Sequence, residues 1–333
     1  MRIAATGVGS LPGADAAAFD EAVRLVLGTF TELPHLPELP GRGAHADMTG
    51  RTLALVPELG ADLQPAGWRL TGGGPGVDQR RARSLLAQDL DALEEQAQGY
   101  AGRLKVQVTG PWTLAATVER PRGDRLLADQ GARRELAQAL AEGIGAHVAD
   151  VRRRVPGADV VVQLDEPALP AVLAGQVPTA SGFHRHRSVD APAASPALGW
   201  VLAAAADAGA TPVVHCCAPD VPFGLLTGAG ARGFSVDLAA LTPTGYDALA
   251  EVLESGRTLM LGVVPATDPD PWPDDGSITE RVLRLLDMLG LDPSAETGDL
   301  VVTPSCGLAG ASAGWARRAC ELSERVSRNL GSG

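Results

Sequence analysis

The chain has 333 residues, 45% hydrophobic and 20% charged, which is enough apolar material for a sizeable core in one large domain or two smaller ones. A formal charge of -12 and an aromatic content of 4% argue against the basic, base-stacking face of a nucleic-acid binder. No apolar run reaches the length of a membrane span. The N-terminal MRIAATGVGSLPG lacks the long apolar region of a signal peptide, so a cytoplasmic, reducing setting is expected.

In chain order, short β-branched runs alternate with amphipathic stretches. Residues 2–10 read as a strand and 15–30 as a helix with Asp15 at its N-cap. Residues 30–36 read as a short strand entering a Pro-rich loop, and 37–78 as irregular apart from a short helix near 50–59. A long helix is predicted over 79–103, a strand over 104–111, then helix-rich sequence to about 155. Strands follow at 158–167, 211–217, 233–238, 258–264 and 300–307. Helices are predicted at 195–209, 243–255, 278–290 and 309–330. Apolar strands separated by helices indicate parallel pairing with both sheet faces covered. Eight of them point to an α/β fold, a single-domain (β/α)8 TIM barrel over residues 1–333. An open doubly wound sheet is the alternative, and no G-x-G-x-x-G stands between a strand and a helix to support it.

A barrel builds its site on the loops after the strand C-termini. Polar residues at those points are Gly9 and Ser10, Asp165 and Glu166, His215 with Cys216 and Cys217, Asp237, and Ser305 with Cys306. Side chains alternate along a strand, so His215 and Cys217 face one way and Cys216 the other. His215, Cys217, Cys306 and Asp237 together offer one imidazole, two thiolates and a carboxylate, a set that suits Zn2+. Against this stands the ordinary use of free cysteine as a small buried hydrophobe, the reading given to Cys320 in mid-helix.

The segments GVGSLP (7–12), ADMTGR (46–51), VTGPWTL (108–114), VQLDEPAL (162–169), VVHCC (213–217), FSVD (234–237) and TPSCGL (303–308) resemble, in order, the C-terminal catalytic barrel of the cobalamin-independent methionine synthases. The chain resembles a short, single-barrel form of that family, within the wider group that includes the uroporphyrinogen decarboxylases. The resemblance implies a zinc-dependent methyltransferase that activates a small thiol, homocysteine by default, and makes methionine. It implies zinc ligands at His215, Cys217, Asp237 and Cys306, with aspartate at 237 where the family more often has glutamate. It makes Asp165 the candidate catalytic residue, holding the substrate amino group, and places the substrate carboxylate at Gly9 and Ser10. Glu166 is carried as a further substrate contact.

Several of the family's residues have no counterpart. The segment LGVVPATDP (261–269) has no histidine to protonate a leaving group, and Pro170 and Ala171 stand where an acid meets the folate pterin. The tryptophan on which folate stacks is missing from AATVE (115–119), and TGR follows Met48 in place of a glutamate. These departures keep the zinc half of the site and lose the folate half. They set against methyltetrahydrofolate polyglutamate and leave open a methylated corrinoid or corrinoid protein as donor. His45 is a candidate replacement acid, and SGFHRHR (181–187) a candidate cationic contact or a solvated loop. The competing functions are other zinc-dependent alkyl-transfer or carbon–sulfur chemistry, a metal-free decarboxylase-like barrel, and a non-catalytic scaffold.

Overall fold

The computed structural model describes residues 1–291 and 298–332. Its strands are β1 (Ile3–Ala5), β2 (Ala61–Gln64), β3 (Gly67–Leu70), β4 (Ala101–Thr109), β5 (Gly157–Asp165), β6 (Thr211–Cys216), β7 (Gly233–Asp237), β8 (Thr258–Val264) and β9 (Leu300–Pro304). Among the described residues, seven of these form one parallel sheet in the order β1-β9-β8-β7-β6-β5-β4. The first and last strands are neighbours, with Ile3, Ala4 and Ala5 opposite Leu300, Val301 and Val302.

The gap between β1 and β4 is filled by residues 34–38. Leu36 donates to the Lys105 carbonyl at 2.8 Å and Lys105 N–H donates to the Pro34 carbonyl at 2.9 Å. On the other side Glu38 donates to Gly9 at 3.1 Å and Leu11 donates to Glu38 at 2.9 Å. These bonds close the ring in the manner of a TIM barrel. The eighth wall piece therefore lies later than the predicted 30–36. Pro34 and Pro37 have no N–H to donate, so the segment pairs through alternate residues and does not extend into a regular strand.

Two other predictions are corrected. Residues 37–78 contain the antiparallel hairpin β2–β3 and a helix at Met48–Leu53, earlier than 50–59. The hairpin's turn residues, Pro65 and Ala66, give no strong hairpin signal. The helix predicted over 79–103 is Val77–Gln96, and the strand that follows begins at Ala101. The closing helix, Ala313–Gly331, is capped by Ser312, whose hydroxyl accepts from Trp315 N–H.

Inside the barrel the side chains are layered. Ala4, Leu33, Val161, Val213, Met260 and Val301 form an apolar cluster at the lower end. Two residues further along the same strands, toward their C-terminal ends, stand Thr6, Gln163, His215 and Thr303, all buried. The barrel is thus greasy below and polar just under its mouth.

Candidate functional site

The polar layer opens into a cavity of about 330 Å³. Its wall includes Gly9 and Ser10, Glu38, Asp165, His215, Cys217, Cys306 and Gly307. The geometry of adjacent parallel strands brings these together. Asp165 is the register partner of His215, and His215 of Ser235. Leu308 N–H donates to the Ser10 carbonyl at 2.8 Å, which holds the loop after β9 against the turn after β1. Gly307 leaves room for the Ser10 hydroxyl, which a Cβ there would strike.

His215, Cys217 and Cys306 form the centre of the site. Their nitrogen and sulfur atoms all lie within 4.8 Å of one another. The Cys306 sulfur is 3.1 Å from that of Cys217 and 3.9 Å from His215 Nε2. On the far side of the ring, Nδ1 meets Ser235 Oγ at 3.0 Å. Nε2 is therefore the nitrogen turned to the sulfurs. The hydrogen bond with Cys217, helped by the neighbouring His215, holds Cys306 below the ordinary thiol range, and the same bond, together with burial, pushes Cys217 up. Cys216 points away and is 1% exposed, and Cys320 is buried in its helix with its thiol pushed up to about 12 by burial.

Asp237 ends β7 and is half-buried. Its Oδ1 accepts from Ala239 N–H at 2.9 Å, and its carboxyl is not one of the three groups gathered within 4.8 Å. Burial raises its pKa, and the charge of Cys306 raises it further.

Asp165 lines the cavity and accepts from Gln163 Nε2 at 2.7 Å through Oδ1. Burial raises its pKa, opposed by His215, Gln163 and Lys105. Its neighbour Glu166 turns the other way. Glu166 is fully buried, with Oε1 accepting from Trp112 N–H at 2.9 Å and Oε2 from Thr113 N–H at 2.8 Å and Thr113 Oγ1 at 2.7 Å. It thereby satisfies the first free N–H groups of the helix Pro111–Thr117 and does not border the cavity. His45 is tied to Asp78, Nε2 to Oδ1 at 3.0 Å, and in the 181–187 loop His186 lies 3.2 Å from Asp124. Neither borders the cavity.

Sequence reasoning passed over two further carboxylates at the cavity wall, Asp47, which caps the helix Met48–Leu53 through Gly50 N–H, and Glu38. Glu38 lines the cavity and is 5% exposed. Burial raises its pKa to about 7, against the opposing pull of Arg51, whose Nε is 3.3 Å from Oε1. Lys105 and Gln163, both 0% exposed, were also missed. A signal existed: in LKVQVT and VVQLD the polar residues recur at every second position, which puts them on the inner face of a strand.

A ring of parallel strands with an imidazole and two sulfurs converging at its C-terminal mouth defines a barrel enzyme with a thiolate-rich candidate metal site. The family described as "Cobalamin-independent synthase, Catalytic domain" matches residues 92–329. The chain belongs to that family and is a methionine synthase-like methyltransferase. Among solved structures, a B12-independent methionine synthase from Shewanella sp. W3-18-1, in complex with selenomethionine, superposes with a TM-score of 0.65. It is 14% identical and the match covers 100% of this chain and 98% of that one, a likeness of fold. A GH5_18 structure from Streptomyces cattleya in complex with GlcNAc matches at a TM-score of 0.47 and 14% identity, over 99% of this chain and 81% of that one. No curated protein matches. None of these matches supports a corrinoid partner. No helix among the described residues is long and apolar enough to cross a membrane.

Proposed function

We propose that this chain transfers a methyl group to the sulfur of a small amino-acid thiol, homocysteine by default, with Zn2+ held by His215, Cys217 and Cys306 and with Asp237 as fourth ligand. The observation that carries this reading is the meeting of one imidazole nitrogen and two sulfurs at the wall of a cavity also lined by the carboxylates of Glu38, Asp47 and Asp165. The donor set fits the ion, since nitrogen and sulfur ligands are those zinc prefers. The Ser235 contact to the other ring nitrogen is the kind of support such a ligand needs. When bound, the ion supplies a Lewis acid that keeps the acceptor sulfur as the nucleophilic thiolate.

The chain's own groups select and orient the acceptor. Asp165 and Glu38 offer negative charge to its ammonium group, and the turn at Gly9 and Ser10 offers backbone to its carboxylate. Gripped at both ends, the acceptor has its sulfur directed at Cys217 and Cys306. Orientation of this kind is worth roughly 7 to 11 kcal/mol of a transfer barrier. The residues missing at 115–119, 170–171 and 261–269 favour a donor other than methyltetrahydrofolate polyglutamate. The cavity wall carries acids, sulfurs and an imidazole where a tetrapyrrole decarboxylase would need arginines, which disfavours the metal-free reading.

The test is zinc analysis of the purified protein and of Cys306→Ser, alongside methionine formation from homocysteine with methylcobalamin and with methyltetrahydrofolate. About one zinc per chain, lost together with activity in the variant, is expected. Zinc retained by Cys306→Ser, or no zinc after reconstitution under reducing conditions, overturns the metal assignment.

A further inference from the structure

Beneath the cavity floor lies a charge that the proposed reaction does not use. Lys105 stands on β4 inside the barrel and is 0% exposed. Its ammonium donates to the Val8 carbonyl at 2.8 Å and to Gln163 Oε1 at 2.8 Å. An ammonium can only donate, so it fixes which end of the Gln163 amide faces it. The amide nitrogen is thereby turned to Asp165 Oδ1, 2.7 Å away, and to the Val8 carbonyl, 2.9 Å away. Gln107 adds a third donor to Val8 at 3.2 Å. Val8 directly precedes the Gly9–Ser10 turn.

We propose that Lys105 is a positioning residue for the amino-acid substrate: through Gln163 it aims Asp165, and through Val8 it anchors the Gly9–Ser10 turn, so one buried ammonium sets both poles of the subsite. This inference rests on the amino-acid methyltransferase reading above.

A buried ammonium is costly unless its surroundings compensate it. Its register partner Val161 belongs to an apolar cluster with Val213 and Met260, so an apolar residue here would pack the barrel without that cost. The cost falls where the charge has a use, near the cavity carboxylates Asp165 and Glu38. Burial pulls the Lys105 pKa down to about 7, and Asp165 and Glu38 draw it back up. The ammonium and the cavity acids thus act on one another.

The test is calorimetric titration of L-methionine, the product of the proposed reaction, into the Co2+-loaded protein and into Lys105→Met and Gln163→Met. The cobalt–thiolate absorption band reports independently on the sulfurs of Cys217 and Cys306. Expected is a loss of methionine affinity of about tenfold or more in both variants, with the absorption band unchanged. Wild-type affinity in a folded Lys105→Met overturns the proposal. So does a variant that loses the band together with the affinity, because Lys105 would then only hold the barrel together. Should Lys105→Met not fold, Gln163→Met decides by the same two readouts. A wild-type protein that shows the cobalt band and binds no methionine overturns the amino-acid reading itself, and this inference with it.

Discussion

His215 Nδ1 and Ser235 Oγ lie 3.0 Å apart across the β6–β7 ladder, where the two residues are direct register partners. The bond fixes the ring's rotation and turns Nε2 toward the sulfurs. Ser235→Ala removes one oxygen from a fully packed position, so the fold is expected to survive. Apparent zinc affinity is expected to fall by about 10- to 100-fold, measured by competition with a chromogenic chelator. Unchanged affinity would mean that the strand backbone alone orients the ring.

Glu166 is expected to matter for stability before it matters for chemistry. Glu166→Ala strands Trp112 N–H, Thr113 N–H and the Thr113 hydroxyl, all buried. The loss is expected to exceed about 3 kcal/mol, read from urea unfolding. Gly110→Ala should act in the same direction, because a Cβ there would run into the Glu166 carboxylate. A stable Glu166→Ala protein with impaired acceptor binding would instead return Glu166 to the substrate contacts.

Behind Glu38 lies a buried ion network. Asp89 takes both terminal nitrogens of Arg42 at 2.7 Å each and also pairs with Arg51, which in turn touches Glu38. Asp89→Asn leaves two buried guanidinium groups without their shared carboxylate. Destabilisation of about 3 to 5 kcal/mol is expected, seen as a lower denaturant midpoint at unchanged slope.

Glu38 also predicts a pH dependence. Burial raises its pKa in the folded chain from 4.5 to about 7. Between those values the folded state binds the proton more firmly than the unfolded state, so the stability it contributes is present below the window and is lost as pH rises through it. The contribution is on the order of 3 kcal/mol. Glu38→Gln should reduce that slope without abolishing it, because burial raises Glu166 to about 7 over the same window, and unfolding curves of both proteins on either side of the window will show whether it does.

Much of this arrangement is legible in the chain because barrel strands carry strong local signals. VVHCC and LVVTPSCG read as buried strands with candidate ligands at their ends, and alternation separates Cys217 from Cys216. Glu38 was hidden for a physical reason: its wall segment holds two prolines and pairs through isolated backbone bonds, so no periodic pattern marks it as part of the barrel. Glu166 was misleading because adjacent acids at a strand end look alike in sequence. The alternation that points Asp165 inward sends Glu166 outward to a helix whose N-terminus lies more than 50 residues earlier in the chain.

The pairing of β1 with β9 has a consequence for how the enzyme comes into being. Cys306 and the turn that faces it lie at opposite ends of the sequence, and only the last strand carries the second sulfur into place. A nascent chain that has not yet added β9 holds His215 and Cys217 as half a binding site, too few donors to retain an ion firmly. The candidate donor set is therefore complete only once the last strand has paired with the first.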